Sequence, residues 1–317
     1  MPSYSLIYKT LRGLADQEAR VTRDVGRDPT KWGIMRIDNV QQWIRMQDQR
    51  IGRESRMLIG IAGTYYEIDA DLFLPGAADL DNKLARISEN KRKDVTVETF
   101  LGLINHEHFE SIGSLHWLWT LTNAIPEMAE HKSHVSLLFC TCGAKHRVPV
   151  RATKVHPLAT SGKNETVTTE LKDGLLDFLN QIGQSHDDYS RRLILVGGDG
   201  LTYEKILQLK KYLQCHKNEF ESFALIEPLL ELWHTEATDL SRVFETHWGS
   251  PLSDNPSTLG HSARKIGHSA PSNMKKVDYY PSAALMYLVL EVRQLDCWRY
   301  VSPSYFTCWR CQRNVFL

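Results

Sequence analysis

A chain of 317 residues with 42% apolar and 24% charged side chains can fill one large core, or a core carrying an insertion, and is neither fibrous nor wholly disordered. Its formal net charge of zero excludes a global attraction to phosphate, and its longest apolar stretch, Ala283 to Leu290, falls far short of the roughly 20 residues that cross a bilayer. Met1 to Tyr8 lacks the charged-then-apolar pattern of a secretory leader, so an intracellular protein with no membrane association is expected.

Tyr4 to Val25 places Leu6, Ile7, Leu11, Leu14, Ala15 and Val21 at helical spacing and reads as an amphipathic helix. Trp32 to Ile37 reads as a short strand that delivers Asp38 and Asn39 at its end, followed by a polar segment, Val40 to Arg56. Met57 to Ile68 favours β structure despite Gly60 and Gly63, and from Val97 to Ala129 the apolar period turns helical. Val135 to Phe139 is strand-like, Thr153 to Thr168 reads as a surface loop, and Thr169 to Ile182 as a helix. The clearest strand, Arg192 to Val196, runs into Gly197-Gly198-Asp199-Gly200 and a helix from Thr202 to Leu213. Phe223 to Trp233 is an apolar run that presents His234 and Glu236 before another helix. Ser250 to Ser272 has loop composition, and a last helix, Pro281 to Leu295, precedes an irregular tail whose make-up suggests truncation. The organisation expected is a helical segment over 1–30, an α/β core over 31–250 with a helical insertion near 97–131, and a loop, helix and tail over 251–317.

The 6 cysteines are too few and scattered for a disulfide scaffold. Cys140 and Cys142 with His146, and Cys308 with Cys311, each have half of a zinc spacing, but the halves lie far apart, which argues against structural zinc. Residues 1–60 hold 11 Lys+Arg against 7 Asp+Glu, and residues 264–317 hold 8 against 3, so a bound DNA would be gripped by the two ends. Scattered solvated cations explain the same counts. No Gly-Lys-Ser/Thr follows the glycines at 197–200, Gly60 to Gly63 falls short of a dinucleotide fingerprint, and no Gly-x-Ser-x-Gly elbow occurs.

Asp38 and Asp199 are the two best-marked chemical positions, each at the end of an apolar strand-like run. Two carboxylates on separate strand ends suit Mg²⁺ or Mn²⁺, which take hard oxygen ligands, commonly one or two carboxylates plus substrate phosphates. In that reading Asp38 bridges two ions and Asp199 is the second ligand. In the plainer reading Asp38-Asn39 is a turn and Asp199-Gly200 a helix cap.

The blocks Ile37-Asp38-Asn39, Gln49-Arg50-Ile51-Gly52, Gly60-Ile61-Ala62-Gly63-Thr64, Gly198-Asp199-Gly200-Leu201-Thr202, Trp233-His234 and His247-Trp248-Gly249, in that order, resemble a fungal, basidiomycete family named for its domain of unknown function 6589. The resemblance implies a transposon-derived protein with an RNase-H-like core: a mixed sheet, flanking helices and a helical insertion. The arrangement also resembles Mutator-type transposases, in which a histidine follows the second aspartate and a glutamate completes the site. His234 matches that histidine, and Glu236 or Glu291 would be the third acid, with DNA as substrate and a nuclear location. The alternative is a catalytically inactive remnant that serves as a nucleic-acid or protein interaction module. A third reading is a zinc-stabilised binding protein that uses Cys308 and Cys311.

Overall fold

The computed structural model describes residues 4–45, 54–68, 79–144, 150–250 and 254–301. They form two compact units, Met1–Asp94 with Arg151–His234, and Val95–Val150 with Thr235–Leu317.

The first unit is a mixed α/β layer. Helix α1 (Tyr4–Arg27) leads into β1 (Trp32–Ile44) and β2 (Arg56–Ile68), then α2 (Leu80–Ser88). After the residues of the second unit come β3 (Val155–Pro157), α6 (Thr168–Gln181), β4 (Ile194–Gly198), α7 (Gly200–Leu213) and β5 (Ile226–Leu230). The strands form one sheet in the order β3-β2-β1-β4-β5. β1 is antiparallel to β2, and β2 to β3, whereas β1, β4 and β5 run parallel.

Alternation along β1 explains its two faces. Met35 and Ile37 are fully buried, while Arg36 and Asp38, one residue out of step, are exposed. On the buried face the sheet meets Leu171, Leu175 and Phe178 of α6 and Ile206 and Leu209 of α7. Gly63 on β2 sets the approach of α6, because a Cβ there would lie 2.9 Å from a ring carbon of Phe178.

Three expectations are corrected. β1 does not stop before Asp38: it runs on to Ile44, paired with β2 from Trp32↔Ile68 to Ile44↔Arg56, so Asp38 is a mid-strand residue opposite Ala62. The polar Gln41 and Gln42 mask a strand whose far half is a two-stranded ribbon, where core burial no longer selects apolar residues. Val135 to Phe139 lies inside helix α5 (Lys132–Thr141), a short apolar run whose period alone cannot separate strand from buried helix. Thr153 to Thr168 is not merely a surface loop: it contains β3, a bridge between Ser161 and Ile61, and the buried His156 and Glu165.

The second unit is helical: α3 (Val97–Gly102), α4 (His106–Ala124), α5, most of α8 (Leu232–His247), α9 (Leu259–Lys265) and α10 (Tyr279–Val301). Phe244 and Trp248 stack at 5.6 Å and join Leu240, Leu259, Leu285 and Val289 in its core. The buried Thr120 hydroxyl donates to Gln294 at 2.6 Å, tying α4 to α10. No described helix is long and apolar enough to cross a membrane.

Candidate functional site

The parallel pairing of β1 with β4 positions the two aspartates. The register is Ile34↔Leu195, Met35↔Val196 and Arg36↔Gly197, and two residues further along each strand come Asp38 and Asp199. Asp199 keeps an extended backbone, φ −69° and ψ 178°, so it continues the line of β4 for one step before α7 begins. Neighbouring strands are about 4.8 Å apart, so residues 161 positions apart in sequence become lateral neighbours.

Each carboxylate is also held locally. Asp199 is the N-cap of α7, where its Oδ1 accepts the Thr202 backbone N–H at 2.8 Å. Asp38 Oδ1 accepts the N–H of Asn39 at 2.8 Å. The side-chain oxygen of Asn39 is buried with no hydrogen-bond partner. Gly198, just before Asp199, leaves room for the first turn of α7, since a Cβ on it would stand 2.7 Å from Thr202 Cγ2.

A third carboxyl completes the neighbourhood. Glu165 is only 2% exposed, and its Oε2 accepts the Thr202 hydroxyl at 3.2 Å. Burial first, and then the negative charges of Asp199 and Asp38, hold its carboxyl above the usual range against the opposing effect of the Thr202 hydroxyl. The turn before α6 places it: the Asn164 side chain accepts from the Thr166 backbone and hydroxyl at 3.0 and 2.8 Å, and Ser161 pairs with Ile61 on β2. Sequence reasoning misses Glu165 because it sits in a polar, weakly patterned stretch that looks like surface. The available signal is the Asn-Glu-Thr turn directly ahead of a helix.

Beside the three acids runs an ion-paired row. Arg36, two residues before Asp38 and therefore on the same face, meets Glu231 at 2.5 Å. Burial alone would lower the Arg36 guanidinium, but the hydrogen bond and charge of Glu231 prevail and raise it. Glu231 also lies over Gly197, opposite Arg36, where a Cβ would stand in ordinary contact at 3.4 Å from Glu231 Oε1. His234 Nε2 lies 3.5 Å from Glu231 Oε2, so the histidine flagged in the sequence contacts this neighbouring carboxylate.

The other expected acids belong to the second unit. Glu236 on α8 accepts the Tyr279 hydroxyl at 3.1 Å, and Glu291 is a half-buried residue of α10. His247 is exposed at the end of α8, and Trp248 beside it is buried. Cys140 and Cys142 are exposed and form no disulfide, whereas His146, Cys308 and Cys311 lie outside the described residues.

The donor set is hard oxygen, and Asp38 with Asp199 supplies the one or two carboxylates that Mg²⁺ commonly takes from a protein. Among the described residues no group of three or more His, Cys, Asp or Glu stands close enough to hold a metal ion by itself. An ion held there would share its coordination sphere with water and substrate oxygens.

No curated protein and no solved structure matches the chain. A family model does match, over residues 90–309, described as a family of unknown function (DUF6589). The match includes Glu165, Asp199 and His234, and leaves Asp38 and the blocks at 49–52 and 60–64 outside it. With more than two thirds of its length matched, the chain belongs to the DUF6589 family.

Proposed function

We propose that this chain is a transposon-derived, metal-dependent DNA nuclease or strand-transfer core of fungal type, built on an RNase-H-like sheet. The observation that carries the reading is the parallel register of β1 and β4, whose last pair, Arg36↔Gly197, lies two residues before Asp38 and Asp199, with both their charges felt by the buried Glu165. A mixed sheet whose central strand bears the first acid, beside a parallel strand ending in the second, supports the fold reading.

In this reading Asp38 and Asp199 hold Mg²⁺ or Mn²⁺, which supplies a polarised phosphate and an activated water or hydroxyl when bound. Glu165 takes the place of third acid in the first unit, ahead of Glu236 and Glu291. His234 and Arg36, both on Glu231, lie beside the end of β4, where in this reading a phosphate backbone would pass. Glu231 neutralises Arg36, so backbone contacts there depend on that pair opening.

The test is DNA cleavage by the purified full chain with Mg²⁺ or Mn²⁺. Asp199→Asn should reduce it to background, and cleavage that persists unchanged in that variant overturns the proposal. A second reading, the inactive interaction module, is favoured by the local use of both aspartates: Asp38, mid-strand and not in the turn expected for Asp38-Asn39, accepts its neighbour's N–H, and Asp199 caps α7. It is distinguished by saturable, salt-sensitive DNA binding with no turnover under any divalent cation.

A further inference from the structure

The N-terminal part of α1 is solvent-exposed on all sides. Every residue from Tyr4 to Gln17 is exposed, and the first buried positions are Thr22, Val25 and Gly26. A helix of that length is marginal in water without something packed on its apolar stripe.

That stripe has a coiled-coil period. Tyr4, Ile7, Leu11, Leu14, Glu18, Val21 and Val25 are spaced 3, 4, 3, 4, 3 and 4 residues apart, the a and d positions of three heptads. The C-terminal end of the stripe is anchored in its own unit: Val25 belongs to the core, and Glu18 reaches the buried His156 at 2.8 Å. The N-terminal end is uncovered, with Leu11 and Leu14 59% and 56% exposed.

We infer that this overhanging stripe pairs with the same stripe of a second copy of the chain, antiparallel, to form a two-fold dimer. Three features select that occupant. The flanking e and g positions of the overhang, Tyr8, Ala15, Thr10 and Gln17, are uncharged, while Lys9, Arg12, Asp16 and Arg20 lie on outer positions. A self-pairing therefore brings no like charges together at the seam. Tyr4, Ile7, Tyr8, Leu11 and Leu14, 45% to 84% exposed, offer a continuous face whose burial on both chains would reach at most the lower edge of the specific-interface range, consistent with a weak dimer. Finally, the stripe that is free at one end is docked on its own domain at the other. Parallel pairing would drive both domains into the same space, whereas antiparallel pairing sets Tyr4 against Leu14 and Ile7 against Leu11, with the domains at opposite ends. This inference is independent of the nuclease reading.

The experiment is sedimentation velocity of the full chain over a concentration series, alongside Leu11→Ala, Leu11→Glu and the outer-face variant Lys9→Glu. A dimer that dissociates in the micromolar range is expected. Leu11→Ala should weaken it at least tenfold, Leu11→Glu should give a monomer that still unfolds cooperatively, as the parent does when diluted below its dissociation range, and Lys9→Glu should match the parent. A chain that is monomeric at 100 μM overturns the inference, as does a dimer indifferent to Leu11→Glu or association that follows Lys9→Glu instead.

Discussion

Thr202 donates its hydroxyl to the buried Glu165 carboxylate at 3.2 Å, and the same residue gives its backbone N–H to Asp199 at 2.8 Å. One residue in the first turn of α7 thus fixes two acids that come from opposite sides of α6 in the chain. Thr202→Val keeps the shape and the backbone donor but removes the hydroxyl. It leaves Glu165 without its side-chain donor in a site 2% exposed, and should destabilise the fold by about 1–3 kcal/mol at pH 7. Urea denaturation measures this, and an unchanged midpoint would refute the stabilising role of the pair.

Asp199 has two roles that substitution can separate. Asparagine caps a helix as well as aspartate, so Asp199→Asn should leave stability within about 0.5 kcal/mol while removing the negative charge. Asp199→Ala loses the cap as well and should cost about 1 kcal/mol. Thermal melts of the two variants, run beside the cleavage assay, show whether a loss of activity comes from chemistry or from unfolding.

How much of this was legible in the sequence depends on what each segment packs against. The strand ending in Gly197-Gly198-Asp199 and the helix after it are visible because burial on both sides demands an unbroken apolar run and a clean corner. The far half of β1 is not, because its partner is only β2 and its side chains meet solvent. Pairing of Asp38 with Asp199 can be suspected from two strand-like runs, but their register is a property of the assembled sheet. Glu165 is illegible for a different reason: its burial is created by α7 and β2 arriving from elsewhere in the chain, and nothing in its local composition announces that.

Glu165 also predicts a pH dependence. Its carboxyl is raised above the ordinary 4.5, so the protonated form is the one the fold favours. The stability it contributes is fully present below the unfolded value and is lost as pH rises through the folded one. Glu165→Gln stays neutral throughout. In metal-free buffer it should therefore be more stable than the parent at pH 7, with the difference shrinking as pH falls towards 4.5. Melting temperatures across that window test it, and a variant less stable than the parent at pH 7 would show that the charged form is the one stabilised.

Lys210 carries the opposite kind of strain on the far side of α7 from its capped end. Burial, and then the charge of Lys83 beside it, bring its amine down from 10.5 to about 7, even with Glu227 nearby and the Ile226 carbonyl accepting from it. The folded protein thus releases this proton near pH 7, whereas the unfolded chain holds it until about 10.5. Between those limits the unfolded state binds more protons, so stability rises with pH, and the contribution is lost as pH falls through the folded value. Lys210→Met keeps the length of the stem and cannot take up a proton. The variant should exceed the parent in stability at pH 6 and lose that advantage progressively towards pH 10. Urea midpoints for both proteins at each pH decide the matter: parallel curves would mean that Lys210 titrates like an ordinary surface lysine.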